Sequence, residues 1–155
     1  MTVTRSGPGI AVLKAALSQL DGIEGKTGWF ETAHYPGGPP VAYVATIQEF
    51  GTERIPPRPF MRPAVADDGS KWLNTLAGAA KVVLTGGMSA SDAMEITVLQ
   101  AASDVGKHID AVVTPGLAPS TLANRARRGN KSSKPLEDTK QMLMSVTGKV
   151  EAKGS

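Results

Sequence analysis

The sequence predicts an α+β fold: two long helices packed on a small antiparallel sheet, with a proline-rich extended arm at 52–61. Three observations carry that expectation. Apolar residues recur at three- to four-residue spacing over 62–84, and polar residues keep the same period over 90–113, as helices with one buried face require. Near the chain ends, over 27–35 and 143–151, the period falls to two, as a half-buried strand requires. Between them the stretch EFGTERIPPRPFMRP, residues 49–63, holds four prolines. Proline breaks helices and cannot donate to a ladder, so this stretch is neither helix nor central strand.

Taken in order, Ile10, Leu13, Leu17 and Leu20 mark a helix over 9–20, stopped by Gly22. TGWFETAHY, 27–35, carries Trp29, Phe30 and Tyr35 among threonine and glutamate and favours a strand. PGGPP at 36–40 is a loop. VAYVATIQEF then places Val41, Val44, Ile47 and Phe50 on one helical face ended by Gly51; its Val, Tyr and Thr content leaves a strand as the alternative. The arm follows, held extended by its X-Pro bonds. Pro63 suits the first turn of the helix running to Leu84, whose inward positions are Val65, Trp72, Leu73, Leu76, Ala80 and Val83. Gly69 and Gly78 weaken that helix, and TGG at 85–87 closes it.

Ser89 or Ser91 caps the second long helix. Asp92, Glu95, Gln100, Ser103, Asp104, Lys107 and Asp110 form its polar face, and Thr114-Pro115-Gly116 ends it. A short polar helix over 119–128 and the loop GNKSSKP come next. In MSVTGKVEA, Met144, Val146 and Val150 alternate with Ser145, Thr147, Lys149 and Glu151, a strand pattern that can pair with 27–35. The order is that of a single domain, 1–155, ordered over about 9–151 and ending in a polar tail at 152–155.

Composition narrows the chemistry. At 155 residues the chain is long enough to bury a core, hiding roughly 70% of its unfolded surface. A net charge of +3 is too mild to imply nucleic acid by itself. The absence of cysteine excludes disulfides, thiolate chemistry and Cys-based zinc sites. No apolar run approaches the ~18–20 residues that span a bilayer, and the segment after Arg5 is amphipathic rather than signal-like. His34 and His108 are far apart and read as surface histidines, without metal-ligand spacing. LTGGMSAS lacks a phosphate-gripping lysine, and no G-x-S-x-G elbow exists. Glu24, Glu31, Glu49 and Glu53 follow no catalytic template; Glu49 is expected to cap or to pair with an arm arginine. The expectation is a non-enzyme, with no catalytic, cofactor-binding or metal-ligating residues.

Two segments point to interactions instead. In and around the arm, Glu49, Phe50, Ile55, Pro56, Arg58, Pro59, Phe60, Met61 and Arg62 combine apolar anchors with directed charge on a stiff backbone, which suits a subunit or partner interface. Arg125, Arg127, Arg128, Lys131 and Lys134 place five positive charges within ten residues, and no acidic residue lies between Ala111 and Leu136. This basic loop reads as a docking or DNA-facing patch, or as a solvated loop; without interleaved aromatics it does not stack bases.

Specific motifs then carry a resemblance. VAYVATIQEFGTERIPPRPFMRPA resembles the central signature of phage neck and tail-completion proteins, relatives of the minor tail protein Z of lambda-like phages and of the virion morphogenesis protein of Mu-like phages. That pattern is A-x-x-x-E-F/Y-G, then I-P-x-R-P-F, then a helix. It is met here by Ala45, Glu49, Phe50, Gly51, Ile55, Pro56, Arg58, Pro59 and Phe60. A second motif is similar to LAPSTLANRARRGNKSSKPLEDTKQMLMSV, through Leu117, Pro119, Ser120, Thr121, Lys134, Pro135, Leu136, Asp138, Thr139, Met142 and Ser145. Lys140 departs from the pattern by standing where glycine usually follows Asp-Thr, which makes a helical turn the expectation there.

The resemblance spans about 26–150. It implies a structural virion protein at the head–tail junction, a tail-completion or neck component located in the virion and assembled in the host cytoplasm. The implied partners are further copies of itself, in a hexameric ring, and the neighbouring neck and tail proteins, with packaged DNA passing through the ring and no membrane. The alternative is a small DNA-binding or regulatory module using 125–134.

Overall fold

The computed structural model describes residues 9–154. The elements are α1 (Ile10–Asp21), β1 (Ile23–Gly28), α2 (Val41–Phe50), α3 (Met61–Leu84), α4 (Ala90–Ala111), α5 (Pro119–Arg127), α6 (Gln141–Ser145) and β2 (Thr147–Ala152). The fold is α+β: β1 and β2 form a two-stranded antiparallel sheet on which α3 and α4 pack. The arm expected to be extended over 52–61 instead turns at Thr52–Ile55, runs on without helix or strand, and gives Met61 to α3. Two compact units share the chain. One gathers the described residues up to Thr27, Gly69–Ala101 and Gly148 onward; the other gathers Gly28–Asp68 and Ala102–Thr147.

In the first unit the core is built of small side chains. Ala16, Val83, Ala90 and Ala93 are buried together, with Leu20, Ile23, Ala79, Leu84 and Met88 packed against them. The sheet meets α4 through two glycines. A Cβ on Gly148 would lie 2.7 Å from the Val98 carbonyl carbon, and one on Gly25 would lie 2.8 Å from the Met94 sulfur. Missing side chains therefore set how near the strands lie to the helix, and Thr27 adds a hydroxyl bond to the Val98 carbonyl at 3.1 Å. Ser89 is the cap of α4. Its Oγ accepts from Asp92 N at 3.0 Å, and its own N–H donates to the Asp92 carboxylate at 3.4 Å, a reciprocal capping box. On the sheet, Lys149 and Lys26 hold the Glu151 carboxyl down at about 2. These groups are exposed, so water and salt screen the pairs.

The second unit holds α2, the arm, the first turns of α3, the last turns of α4, α5 and α6. Val41, Ala45, Ala64, Val105, Ile109, Val112 and Met142 are buried there.

Several expectations are corrected. The first strand is 23–28, not 27–35. Trp29 turns into the second unit, where its indole N–H donates to Met142 O at 2.8 Å, and 31–38 is a loop closed by Val41 N to Ala33 O. The second strand is 147–152; Met144 and Ser145 belong to α6, and Met144 is 79% exposed. The two ends do pair, with register set by Lys153 N donating to Gly22 O, so the supposed tail is engaged through Lys153. Ser155 lies outside the described residues. Ile10 and Leu17 on α1 and Val65 and Leu73 on α3 are exposed, because alanines (Ala16, Ala64) occupy the inward positions instead. Asp104, placed on the polar face of α4 by its period, is buried and paired with Lys107 at 2.7 Å. Lys140 is itself left-handed, φ 55°, and α6 starts after it, so the turn is of the glycine-favouring kind rather than helical.

The glycine contacts separate two kinds of substitution. Gly148→Ala should lower the unfolding free energy by about 1–3 kcal/mol, because the sheet must lift off Val98. Gly78→Ala, at an open position within α3, should raise it by about 1 kcal/mol. Urea denaturation of both variants reads the two signs; a neutral Gly148→Ala would mean that the close approach is not tight.

Candidate functional site

The arm begins where α2 must stop. Gly51 has φ 75° and ψ −179°, a region only glycine enters cheaply, and a Cβ there would lie 2.8 Å from Ile55 O. Thr52 and Ile55 exchange backbone bonds, Thr52 N to Ile55 O at 2.8 Å and Ile55 N to Thr52 O at 3.3 Å. The Thr52 hydroxyl accepts from Arg54 N and Ile55 N. The chain then returns along α2, where Arg58 N donates to Gln48 O at 2.6 Å.

Glu49 locks the far end. Its side chain is buried, and its carboxylate accepts from Phe60 N (2.8 Å), Met61 N (2.9 Å), Arg62 N (3.1 Å) and Arg62 Nε (2.9 Å). The three backbone groups among these are orphan donors at the start of α3, capped from another helix rather than by a local Ser or Asp, and the Arg62 side chain adds a fourth, charged contact. Desolvation alone would raise the carboxyl pKa; the Phe60 and Met61 N–H groups, with Arg62, outweigh it and hold it below the ordinary value. Both roles expected for Glu49, cap and arginine partner, are present. Its burial corrects the predicted α2 face: Val41, Ala45 and Glu49 point in, while Phe50 is 65% exposed under the Arg62 guanidinium, 5.2 Å from the ring centroid.

Arg58 and Phe60 turn inward. Arg58 donates to Pro115 O (2.8 Å), Gly116 O (3.0 Å) and the Gln48 side chain (3.2 Å). Phe60 is 1% exposed and meets Trp29 edge-to-face, centroids 5.7 Å apart. Ile55 and Met61 are half-buried, while Pro56, Pro59 and Arg62 stay exposed. Three of the nine residues read as an interface thus spend their side chains inside their own unit.

The basic segment is likewise tied down. Arg125 is buried, its Nη1 donating to Ser132 O and Lys134 O. Arg128 pairs with Asp138 at 2.7 Å and Lys134 with Asp110 at 2.8 Å. The stretch free of acids is thus neutralised by acids just outside its two ends. Asn130 adds two bonds to Asp138, and Ser132 one to Glu137. Arg127 and Lys131 are exposed, Arg127 reaching only Asn124 at 3.4 Å. The reading of 125–134 as an outward-facing patch or solvated loop is corrected at Arg125, which is buried.

The arm and the basic segment, separate in the sequence, share one cavity of about 720 Å³. Ile55, Pro56 and Arg58 line it from one side, and Arg125, Arg128 and Asp138 from the other. Sequence reasoning gave no site role to Gln48, placed Trp29 in a strand, and met Asp138 as a position of the second motif alone. A further signal for Asp138 is its place in KPLEDT, four residues after the last cation of the basic run. Of the histidines, His34 is exposed, but His108 is half-buried against Asp68 at 3.1 Å, which corrects its surface placement. Among the described residues, no group of three His, Asp or Glu could hold a metal ion, and no helix is long and apolar enough to cross a membrane. No protein-family model, no curated protein and no solved structure matches the chain.

Two outcomes follow from the Glu49 clamp. A carboxyl whose folded pKa is depressed adds stability above its unfolded pKa and loses it as pH falls through the folded value. Stability should therefore decline below about pH 4.5. Glu49→Gln should be less stable at neutral pH and show a shallower acid dependence; equal slopes for the two proteins in acid titrations would assign the dependence elsewhere. Phe60→Ala should cost about 3–5 kcal/mol in unfolding free energy, the loss for a large aromatic at a sealed site.

Proposed function

We propose that this chain is a structural virion protein of a tailed phage, acting at the head–tail junction as a tail-completion or neck component and assembling as a ring around the DNA path. One observation carries the reading beyond the resemblance: the arm is clamped at both ends yet leaves an outer edge uncovered. Thr52, Glu53, Arg54, Pro56, Pro57 and Pro59 are exposed. On neighbouring α2, Tyr43 and Phe50 are 61% and 65% exposed. A segment already held in shape loses little entropy on docking, and exposed aromatics beside an arginine are the anchors that protein interfaces favour. Docking of such an edge on the next copy generates a closed ring when the rotation closes.

The internal ion pairs of Arg128 and Lys134 weigh against the alternative of a DNA-binding module. A duplex footprint requires several cations free to neutralise phosphates, and here Arg127 and Lys131 are the exposed cations without an ion pair among the described residues of 125–134. Arg125 is unsuitable for testing the patch, because its removal would strip the 132–134 carbonyls of their donor.

The purified protein should sediment as a closed oligomer at micromolar concentration. Phe50→Glu and Tyr43→Glu should shift it to monomer with an unchanged circular dichroism spectrum, and should block tail-to-capsid joining. Wild-type protein that stays monomeric in solution and is absent from particles would defeat the proposal. Arg127→Glu combined with Lys131→Glu should weaken joining at low salt and preserve the fold. Steeply salt-dependent binding of wild type to free duplex, lost in this double variant, would favour the DNA-binding reading instead.

A further inference from the structure

The cavity shared by the arm and the basic segment has an electrostatic imbalance. Arg58 is 6% exposed, and all three of its bonded acceptors are neutral: the Pro115 and Gly116 carbonyls and the Gln48 amide. Among the described residues no carboxylate lies within ion-pair reach of it. Burial and the neighbouring Arg125 both push its pKa down, the signature of a cation that lacks a counter-charge. A guanidinium carries five N–H donors, and three donor contacts are accounted for. Arg125, 4% exposed, is a second buried cation beside it. Its Nε has no hydrogen-bond acceptor; Asp138 Oδ1 stands off at 3.6 Å because that carboxylate is drawn to Arg128 and Asn130. Arg54 and Arg128 bring the guanidinium groups of the lining to four, against the single carboxylate of Asp138, which Arg128 already engages.

Two further features agree. The nine-residue helix α5 starts at the cavity wall, with Ala118 as a cap that offers no side-chain acceptor, so its positive end is left without a local anion. Much of the remaining wall is apolar, including Val44, Ile55, Leu117, Leu136 and Met142. A volume of about 720 Å³ lies in the range of ligand sites.

We infer that this cavity binds a carboxylate carried on an apolar body, the anion meeting Arg58 and Arg54 near the start of α5 and the apolar part lying on the Ile55–Leu136–Met142 wall. A single negative charge fits better than a phosphate dianion, because the Asp138 carboxylate shares the space and already occupies Arg128. The fork of a guanidinium matches a carboxylate in two-point geometry. The same chemistry is offered by an acidic side chain next to an apolar one in a peptide, and by a free aryl or alkyl acid. Such a site needs no role at a head–tail junction, and failure of ring formation would leave it standing.

The test is a titration of the ¹⁵N-labelled full chain, read at the arginine Nε–Hε signals and by calorimetry. The probes are 4-phenylbutyrate, its neutral amide, inorganic phosphate and the capped tripeptide acetyl-Phe-Asp-Leu-amide. The acid should move the Arg58 signal and bind at least about tenfold more tightly than the amide, the ratio expected when one charge-assisted contact is lost. Arg54→Glu, at an exposed lining position, should weaken the acid about fivefold or more while circular dichroism stays unchanged. Tighter binding of the tripeptide than of the free acid would identify a peptide as the source; the reverse would identify a small acid. Equal affinity for acid and amide, phosphate binding as tight as the acid, or an Arg58 signal unmoved by every probe would each overturn the assignment.

Discussion

The buried carboxylate of Glu49 is the constraint on which the second unit depends. A charge removed from water is costly unless its oxygens are fully engaged. Here four donors engage them, and all come from the junction of the arm with α3. Because Glu49 lies on α2 and its donors lie beyond the arm, the chain between must leave and return within ten residues. That geometric demand explains the neighbouring sequence. Gly51 makes the first reversal, the Thr52–Ile55 turn makes the second, and the prolines keep the return limb extended without N–H groups that would need partners. Arg58 and Phe60 then fall where the unit has carbonyls and an aromatic face to receive them.

A second consequence concerns charge. The arm brings a buried arginine to the place where α5 supplies another. Two guanidinium groups in one desolvated region repel, and Asp138 relieves only the Arg125 and Arg128 side of it. The basic segment therefore has two populations. Arg125, Arg128 and Lys134 brace the loop 128–140 through carbonyls and carboxylates, while Arg127 and Lys131 face water. Counting charges along the sequence merges these populations, since it cannot tell a cation used as a strut from one offered to a partner.

The same limit sets how much of the fold was legible. The long helices, α2 and α5 were readable nearly to the residue, because Pro40, Gly51, Pro63, Thr85-Gly86-Gly87 and Pro119 punctuate the chain. The strands were misplaced by about four residues. Alternation near Trp29 and Met144 imitates a strand, while the actual strands IEGKTG and TGKVEA are polar and glycine-bearing. Their glycines were chosen by contact with Val98, a long-range relation with no local signal. Inward faces were misread wherever alanine does the packing, as at Ala16, Ala45 and Ala64, since larger apolar neighbours dominate a periodicity count. Within the site, Glu49 as cap was foreseen. The meeting of arm and basic segment was not, because it depends on the return path of residues 111–118.

A stiff arm with apolar and basic residues invites the reading that those residues reach outward, and for Arg58 and Phe60 the opposite holds. An anchor that is to stay rigid must spend some of its best side chains on itself. Loss of Phe60 or Glu49 would therefore release the arm's shape along with its contacts, and a docking defect in either variant would not distinguish a lost contact from a lost conformation. The exposed positions do distinguish them. Phe50 and Tyr43 lie on the exposed face of α2 and make none of the hydrogen bonds to Glu49 or Arg58, though Phe50 lies under the Arg62 guanidinium. Folding and the proposed docking are thus assigned to different faces of the same ten-residue helix: Val41, Ala45 and Glu49 inward, Tyr43 and Phe50 outward. The helical period separates residues that the sequence motif writes side by side.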